Sequence, residues 1–278
     1  MERGIGVIDS GVGGLTVVNE LIRQLPNEQL IYVGDTARCP YGPRSKEEVL
    51  QFTKEIVGFL LEKNIKMLVI ACNTATAFTL NYLQEKLLIP VIGVIQPGAR
   101  AAIKYTENNH IGVIATEGTV KSEAYVKAIK NINADTRVNT LACPLLVEMI
   151  EQGVLSGSKA KKVVENSLNP INSDMQMDTL ILGCTHYPLI KDVIQLAVGE
   201  HVKVISSSEE TARETSTVLD IHQLLNNRDT LPVHQFYTTG ELGIFKELSN
   251  RIFGKNNLKT VRMEKVSLYE TVNSKLAL

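Results

Sequence analysis

Short apolar runs alternate with helix-like segments along the first third of the chain. Residues 4–8 form a continuous apolar run, which is typical of a strand buried on both faces of a parallel sheet. Apolar residues then recur at helical spacing from Leu15 to Leu25, and Pro26 ends the pattern. Further strands are predicted at 30–34, 67–71 and 91–95, with a helix ending near 63 and another near 86. This order predicts a parallel sheet with helices on both faces.

The pattern restarts after Pro97-Gly98, a dipeptide typical of a boundary. Three features recur at nearly one offset. They are the apolar runs 5–8 and 111–114, the pairs Cys39-Pro40 and Cys143-Pro144, and the strands that lead into Cys72 and Cys184. A recurrence of this kind indicates a duplicated α/β unit.

We therefore expect an α/β fold of two similar domains with mostly parallel sheets, related by a pseudo-two-fold axis, with a cleft between them. The predicted domains are 1–96 together with 207–278, and 97–206. The second unit is expected to close with a strand at 202–205, followed by a helix over 212–225. A late strand at 234–238 and a helix at about 242–253 are expected to return to the first domain, since docking often ties down terminal segments.

Composition narrows the class of protein. The 278 residues are 44% hydrophobic and 21% charged, with a net charge of −1, which is ordinary for a globular protein. There is no basic block, so nucleic acid is not a predicted main partner, and no apolar run approaches the ~18 residues of a membrane span. The N-terminal strand leaves no room for a signal peptide, and four cysteines in a chain this long are not a disulfide framework. We expect a cytoplasmic protein with reduced thiols and no membrane association.

Two cysteines are distinguished by their positions. Cys72 and Cys184 each follow a predicted parallel strand, at the sheet edge where α/β proteins bind ligands. A free cysteine is often a small core hydrophobe, but the polar residues after each of these thiols are unsuited to a core. A helix N-terminus is also expected to lower a thiol pKa, because its amides and dipole favour the anion. We therefore favour a chemical role for the pair.

Three kinds of chemistry suit two opposed thiols. A redox disulfide usually has the spacing Cys-x-x-Cys, which is absent here. A zinc site made of Cys72, Cys184, His186 and one more ligand lacks the tight spacings of such sites. Two-base proton transfer needs an acid and a base on opposite faces of one planar carbanion, and a duplicated fold provides that arrangement. We favour this option, in which the pKa of the basic thiol is brought towards working pH.

Three further ionisable residues are candidates for supporting the thiols. Asp9 follows the first strand and lies near Cys72 if the first and third strands are neighbours; otherwise it caps a loop. His186 follows Cys184 by two positions and either acts on that thiol or packs beside Tyr187. Glu151 is a weaker candidate, because a charged residue at a helix end is more often only solvated.

Small polar residues open the loops at the same sheet edges. Together with backbone N–H groups they could hold carboxylates without an arginine, or they could simply cap helices. These residues are Ser10, Asn73, Thr74, Thr116, Thr119 and Thr185. The glycine-rich segment 11–14 fits neither G-x-G-x-x-G nor a Walker sequence, which argues against nucleotide binding. No pattern argues for pyridoxal phosphate.

Four motifs together resemble the cofactor-independent aspartate/glutamate racemase family, and within it the glutamate racemases. They are the segments 8–16, 40–42, 71–75 and 183–188, which read IDSGVGGLT, PYG, ACNTA and GCTHYP. The resemblance covers nearly the whole chain, in order. It implies two α/β domains with the active site between them, no cofactor and no metal. It also implies interconversion of L- and D-glutamate, supply of D-glutamate for bacterial peptidoglycan, and commonly a homodimer.

The resemblance assigns roles to individual residues. Cys72 and Cys184 would be the two proton donors and acceptors, with Asp9, Glu151 and His186 as supporting groups. The resemblance implies substrate contacts by Asp9, Ser10, Tyr41, Gly42, Asn73, Thr74, Thr185 and His186. We also expect Pro40, Cys72, Thr116, Thr119 and Cys184 to contact the substrate.

Two details bear on specificity. Aspartate racemases usually have Gly-Cys-Thr-Glu where this chain has Gly-Cys-Thr-His at 183–186, which favours glutamate. Many family members carry an aspartate within the segment that reads Ser-Ser-Ser at 206–208, so the contacts there are in doubt. An aspartate or hydantoin racemase stays open as an alternative, and so does a two-domain protein that binds a small acidic ligand without chemistry.

Overall fold

A computed structural model describes residues 3–172, 176–227, 230–253 and 260–268. The strands are β1 Ile5–Asp9, β2 Leu30–Gly34, β3 Met67–Ile70, β4 Val91–Gly93, β5 His110–Ala115, β6 Arg137–Ala142, β7 Thr179–Gly183, β8 Lys203–Ser206, β9 His234–Thr238 and β10 Val261–Lys265. The α-helices are α1 Leu15–Gln24, α2 Lys46–Glu62, α3 Asn73–Lys86, α4 Ile95–Tyr105, α5 Glu117–Lys121, α6 Ala124–Ile132, α7 Pro144–Glu151, α8 Gly157–Asn172, α9 Lys191–Val198, α10 Ser207–Ile221 and α11 Leu242–Phe253. A 3-10 turn covers Tyr187–Ile190. No helix within the described ranges has both the length and the apolar character needed to cross a bilayer.

The strands form two sheets, and four strands of the larger sheet follow the same order as the four strands of the smaller one. The larger sheet runs β10-β9-β2-β1-β3-β4, and the smaller runs β6-β5-β7-β8. Every pairing between the described strands is parallel. The smaller sheet therefore repeats the order β2-β1-β3-β4 of the larger one, as a duplicated unit requires. This confirms the predicted α/β fold with two similar parallel-sheet units.

The end of the chain extends the larger sheet. Strand β9 pairs with β2, and β10 pairs with β9, so the late strand predicted at 234–238 lies in the larger sheet. The residues of strand β10 are partly or fully exposed, and they include no clear apolar run. The sequence pattern therefore does not predict this strand. The domain limits at 96/97 and 206/207 stay a prediction, and the stretch 269–278 lies outside the described residues.

Buried strands and capped helices account for the order of elements. All residues of β1 and β3 are buried, as expected for strands covered by helices on both faces. The predicted capping box begins α2: the Glu48 N–H donates to Ser45 Oγ at 3.2 Å, and the Ser45 N–H donates to Glu48 Oε2 at 2.9 Å. The local sequence signal and the tertiary packing agree here.

Pro97 and Gly98 lie inside helix α4 rather than in a turn. The helix begins at Ile95, so Pro97 falls in its first turn, where backbone N–H groups have no intrahelical acceptor and proline is tolerated. Strand β4 ends accordingly at Gly93, two residues before the predicted limit. The apolar run 91–95 thus contains a strand end and a helix start.

A buried ion pair connects the first half to the segment after α10. Lys66 Nζ lies 2.6 Å from Glu28 Oε2, and both side chains are almost fully buried. Lys66 Nζ also donates to the Leu224 carbonyl at 2.5 Å, while Glu28 accepts from the backbone and side-chain N–H groups of Asn226, both at 2.7 Å. Removing the cation would leave a buried carboxylate without its charge partner.

We expect Lys66→Met to lower the free energy of unfolding by about 3 kcal/mol, because breaking a buried pair leaves one charge uncompensated. Urea denaturation measures this change. Lys127→Met is the matched control, since Lys127 pairs with Glu123 on the surface, where both side chains are 66% exposed, and a loss within about 0.5 kcal/mol is expected. Equal denaturation midpoints for Lys66→Met and the wild type would contradict the prediction.

Candidate active site

The carboxyl ends of both sheets meet at a small cavity. Its lining residues are Ser10, Pro40, Tyr41, Gly42, Cys72, Asn73, Thr74, Thr116, Val147, Cys184, Thr185 and His186. Both candidate thiols line it, one from each half of the chain. Val147 is the lining residue that the sequence pattern misses, because on helix α7 it reads as an ordinary core position. Asp9 and Thr119 are buried and contact lining residues from behind.

Cys72 is the N-cap of helix α3. Its Sγ accepts from the Ala75 N–H at 3.4 Å, and its thiol donates to Ser10 Oγ at 3.6 Å. Burial and, to a smaller extent, the nearby Asp9 carboxylate raise the pKa of this thiol to about 12, against the opposing effect of these hydrogen bonds. The helix N-terminus does lower the pKa through the Ala75 N–H, as expected, but the loss of hydration outweighs it and the net pKa of Cys72 is raised.

Cys184 lies in a different local setting. It follows β7 and precedes the 3-10 turn rather than an α-helix, so the expected helix N-terminus is absent on this side. Instead, Cys184 Sγ lies 3.7 Å from Nδ1 of His186. His186 Nε2 lies 2.6 Å from Oε1 of Glu151, so the imidazole connects the thiol to a carboxylate.

His186 and Glu151 shift each other's pKa towards the charged forms. Burial alone lowers the pKa of His186, but contacts with Cys184 and Glu151 raise it well above its ordinary value. Burial raises the pKa of Glu151, whereas its hydrogen bond and charge interaction with His186 prevail and lower it. The imidazole with the raised pKa is the group that lies beside Cys184 Sγ.

Asp9 connects the two halves at the end of β1. Its Oδ2 accepts from the Gly11 N–H at 3.0 Å, and its Oδ1 accepts from Oγ1 of Thr185 at 3.2 Å. Burial raises the pKa of Asp9, and the charge of His186 partly opposes this. Strands β1 and β3 are neighbours, so the condition for Asp9 to lie near Cys72 is met.

Hydroxyl groups from both halves form a chain on one side of the cavity. Thr74 Oγ1 lies 2.8 Å from Thr116 Oγ1 and 3.3 Å from Thr119 Oγ1. Thr116 Oγ1 in turn donates to Thr119 Oγ1 at 3.0 Å and accepts from the Thr119 N–H at 3.3 Å. This chain provides neutral donors that can turn towards an anion.

The 40–42 segment forms a wall of the cavity next to helix α5. The Cys39–Pro40 peptide bond is cis, and the Tyr41 hydroxyl donates to Asp35 Oδ2 at 2.5 Å. The Gly42 carbonyl accepts from the Gly118 N–H at 2.9 Å. Backbone from the first half is thus hydrogen-bonded to the second half at the cavity rim.

The comparisons with known proteins agree with this geometry. A model of the Asp/Glu/Hydantoin racemase family matches residues 5–215. A glutamate racemase of Oceanobacillus iheyensis is 65% identical over 96% of this chain and 98% of its own length. The chain belongs to the Asp/Glu/hydantoin racemase family, among its glutamate racemases. It is therefore a racemase, which sets aside the hypothesis of a binding protein without chemistry.

Solved structures of other racemases share the fold. The crystal structure of a glutamate racemase isoform from Bacillus anthracis superimposes with a TM-score of 0.91 at 48% identity, covering 96% of this chain and 98% of that one. The glutamate racemase of Francisella tularensis, solved in complex with D-glutamate, gives a TM-score of 0.88 at 37% identity, with the same coverage of 96% and 98%.

The glycine-rich segment of the racemase makes room for the second half. A Cβ at Gly13 would lie 2.6 Å from both His186 Nδ1 and Thr185 Oγ1. Gly13 therefore allows the residues after Cys184 to approach the loop after β1. The sequence pattern shows the glycines but assigns them no role, since the contact is with residues far along the chain.

We expect Gly13→Ala to lower kcat/KM at least about tenfold, because a methyl group there displaces the imidazole from Cys184. Steady-state racemisation assays measure the effect. Gly58→Ala, in helix α2, is the matched control, because among the described residues a Cβ there meets nothing within 4 Å beyond its chain neighbours and the nearby backbone of its own helix. Full activity of Gly13→Ala would show that the loop accommodates a methyl group at no cost.

Possible metal ligands converge at one point near the cavity. Within the described residues, ligand atoms of Cys39, Glu151 and His186 lie within 4.8 Å of one another. The zinc alternative instead combined His186 with the thiols of Cys72 and Cys184, which are not part of this group. Because Glu151 and His186 already pair at 2.6 Å, two of the three ligands are engaged. That the racemase uses no metal stays a prediction.

Ser206–Ser208 form the segment in which the resemblance leads us to expect an aspartate. Ser206 is the N-cap of helix α10, and its Oγ accepts from the Ser208 N–H at 3.3 Å. Serine and aspartate are both good N-caps, so the capping role is retained. Ser208 Oγ also lies 3.4 Å from Thr16 Oγ1, which links this segment to the first half.

Proposed function

We propose that the protein interconverts L- and D-glutamate by proton transfer between two cysteines, without a cofactor. The observation that supports it most is that thiols from the two halves, Cys72 and Cys184, line one small cavity. Racemisation at a carbon needs a base on one face and an acid on the other. Two thiols from a duplicated scaffold suit that requirement.

The proposed reaction has two balanced proton transfers. A thiolate removes the α-proton, which forms an S–H bond and leaves the C–H electron pair on the α-carbon as a planar carbanion. The opposite thiol then gives its proton to the other face and becomes a thiolate. The product is the mirror-image amino acid, and the enzyme is left with thiol and thiolate exchanged. The reverse direction uses the same two groups in opposite roles.

The Cys72 side favours the protonated thiol before substrate enters, because burial and Asp9 raise its pKa to about 12. For Cys72 to act as a base, its pKa must fall in the complex. The α-ammonium group of glutamate brings a positive charge into the cavity, and an opposite charge nearby favours a thiolate. We propose that Asp9, whose pKa is raised by burial, assists as a nearby proton acceptor.

On the Cys184 side an imidazole is the nearest ionisable partner. His186 Nδ1 lies 3.7 Å from Cys184 Sγ, and Glu151, 2.6 Å from Nε2 on the far side of the ring, raises the pKa of His186. We propose that His186 stabilises the Cys184 thiolate and that Glu151 acts through His186. The two thiols are thus supported by different groups, although the scaffold around them is duplicated.

Neutral donors are proposed to bind the carboxylates of the substrate. The candidates are Ser10, Asn73, Thr74, Thr116, Thr185 and the backbone around Tyr41 and Gly42, all of which line the cavity. Hydrogen bonds to a charged acceptor are among the stronger ones. Neutral donors also leave the His186–Glu151 pair as the main charged group beside the thiols.

Three finer expectations are part of this proposal. The enzyme would supply D-glutamate for peptidoglycan, act in the cytoplasm and assemble as a homodimer. They are supported by membership among the glutamate racemases. Analytical ultracentrifugation tests the dimer directly.

Exchange of the α-proton with D₂O, followed by proton NMR, tests the proposed reaction. L- and D-glutamate should each lose their α-proton signal with no added cofactor and in the presence of a chelator. Aspartate, tested in parallel, should exchange at least about 100-fold more slowly, because one methylene changes where its carboxylates reach the donors. Faster exchange with aspartate would instead identify an aspartate racemase, and no exchange with either would overturn the proposal.

A further inference from the structure

The Asn73 side chain is held with one polar atom unpaired. It is 2% exposed and lines the cavity beside Cys72. Its Oδ1 accepts from the Tyr125 hydroxyl at 2.8 Å, while its Nδ2 has no hydrogen-bond partner among the described residues. A buried N–H₂ group without an acceptor is costly unless something binds it. This points to a ligand acceptor at that position.

Tyr125 reaches Asn73 from the other half of the chain. Tyr125 lies on helix α6, whereas Asn73 begins α3. The Tyr125 ring packs against two glycines. A Cβ added at Gly98 would lie 3.3 Å from the Tyr125 hydroxyl, and one added at Gly183 would lie 3.1 Å from Tyr125 Cε2. The ring is 2% exposed. Its position is therefore well determined by packing on both sides.

Hydrogen bonding at the Tyr125 hydroxyl determines which way the Asn73 amide faces. Burial raises the pKa of Tyr125, while a hydrogen bond with the Ser207 side chain lowers it, as expected when Ser207 donates to the phenolic oxygen. The phenol proton is then available for Asn73 Oδ1. Because the amide oxygen is occupied by Tyr125, the amide N–H₂ faces the cavity.

We propose that Tyr125 is a positioning residue that orients Asn73 so that Nδ2 donates to a carboxylate of the substrate. Without the hydroxyl, the amide can turn and present its oxygen, which repels a carboxylate. Tyr125 does not line the cavity, and it acts through Asn73. This inference rests on the proposed function, since it concerns how that site binds its substrate.

Tyr125→Phe tests the proposal because it keeps the ring and removes only the hydroxyl. KM should rise about tenfold for both L- and D-glutamate, the effect of losing one hydrogen bond to a charged group, with kcat within about threefold. Tyr237→Phe is the matched control, since its hydroxyl donates at 2.8 Å to Gln235 on strand β9 and its ring is also buried. That control should keep the wild-type KM.

A double-mutant cycle separates orientation of Asn73 from a general structural role. In an Asn73→Ala background, Tyr125→Phe should change KM by less than about twofold, because the amide it orients is gone. An equal rise of KM in both backgrounds, or an unchanged KM for Tyr125→Phe alone, overturns the proposal. If the wild type exchanges the α-proton of glutamate and the cycle shows no coupling, only the role of Tyr125 is wrong. If the wild type exchanges neither enantiomer, the proposed function itself fails.

Discussion

Cys72→Ser and Cys184→Ser should each lower racemisation of glutamate by at least about 1,000-fold. A general acid or base contributes about 10²–10⁴-fold, and the serine hydroxyl is too weak an acid to take over either role. Each variant removes one of the two groups, so both directions of the reaction are lost. Polarimetry or a coupled assay, starting from each enantiomer separately, measures the loss.

The matched control is Cys143→Ser. Cys143 is buried, and burial raises its pKa to about 12, as for Cys72, but it does not line the cavity. Activity within about threefold of the wild type is expected, as for a substitution outside the site. Racemisation at the wild-type rate by either Cys72→Ser or Cys184→Ser would contradict the two-thiol reaction.

Thermodynamics provides a check on these measurements. L- and D-glutamate have equal free energies in water, so the equilibrium constant of racemisation is unity. Values of kcat/KM for the two directions must therefore fall by the same factor in any variant. Differences between the two cysteine sides can appear only in kcat and KM taken separately, or in isotope effects with α-deuterated substrate.

The second large effect is expected for His186→Asn, which should lower kcat about 100-fold. Asparagine keeps a polar group near Cys184 but carries no positive charge and does not reach Glu151. Loss of a preorganised charge beside a developing anion typically costs about 10²–10³-fold in kcat. A reduction of less than about threefold would show that the imidazolium has no role at the thiol.

Glu151→Gln separates charge from hydrogen bonding at the same site. Burial lowers the pKa of His186, and the Cys184 and Glu151 contacts raise it well above its ordinary value. Removing the carboxylate charge therefore brings the pKa of His186 down. If the protonated imidazole is required, the fall of kcat with rising pH should begin at lower pH in Glu151→Gln than in the wild type. The pH profile of kcat measures this shift, and identical profiles would exclude the charge effect.

Local signals predict much of the scaffold. Strands such as β1 and β3 are continuous apolar runs because helices cover both their faces, and a run of that kind is visible without any structure. The capping box at Ser45 and Glu48 is local in the same sense. The start of α4 is not predicted from the sequence. Pro-Gly is typical of a reverse turn, and the local pattern does not distinguish that from the first turn of a helix.

The sequence predicts some residues of the candidate site and misses others. Its members that follow strands, such as Cys72 and Cys184, can be found because parallel strands end at one edge of a sheet. Val147, which lines the cavity, and Tyr125, which contacts Asn73 from behind it, cannot be found in this way, since both lie on helices whose apolar faces resemble ordinary core. The direction of the pKa shift at Cys72 is also not predicted by the sequence. Burial raises this pKa, whereas a helix N-terminus alone would lower it.

The order of residues along the chain determined, by itself, a duplicated α/β fold with a cysteine after the third strand of each unit, since apolar periodicity and motif spacing are properties of short segments. Only the tertiary structure decided that His186 lies between Cys184 and Glu151, that Gly13 makes room for it, and that Tyr125 faces Asn73. Apart from Cys184–His186, these contacts join residues far apart in the chain. Burial and distance between such residues arise from packing, which no local pattern encodes.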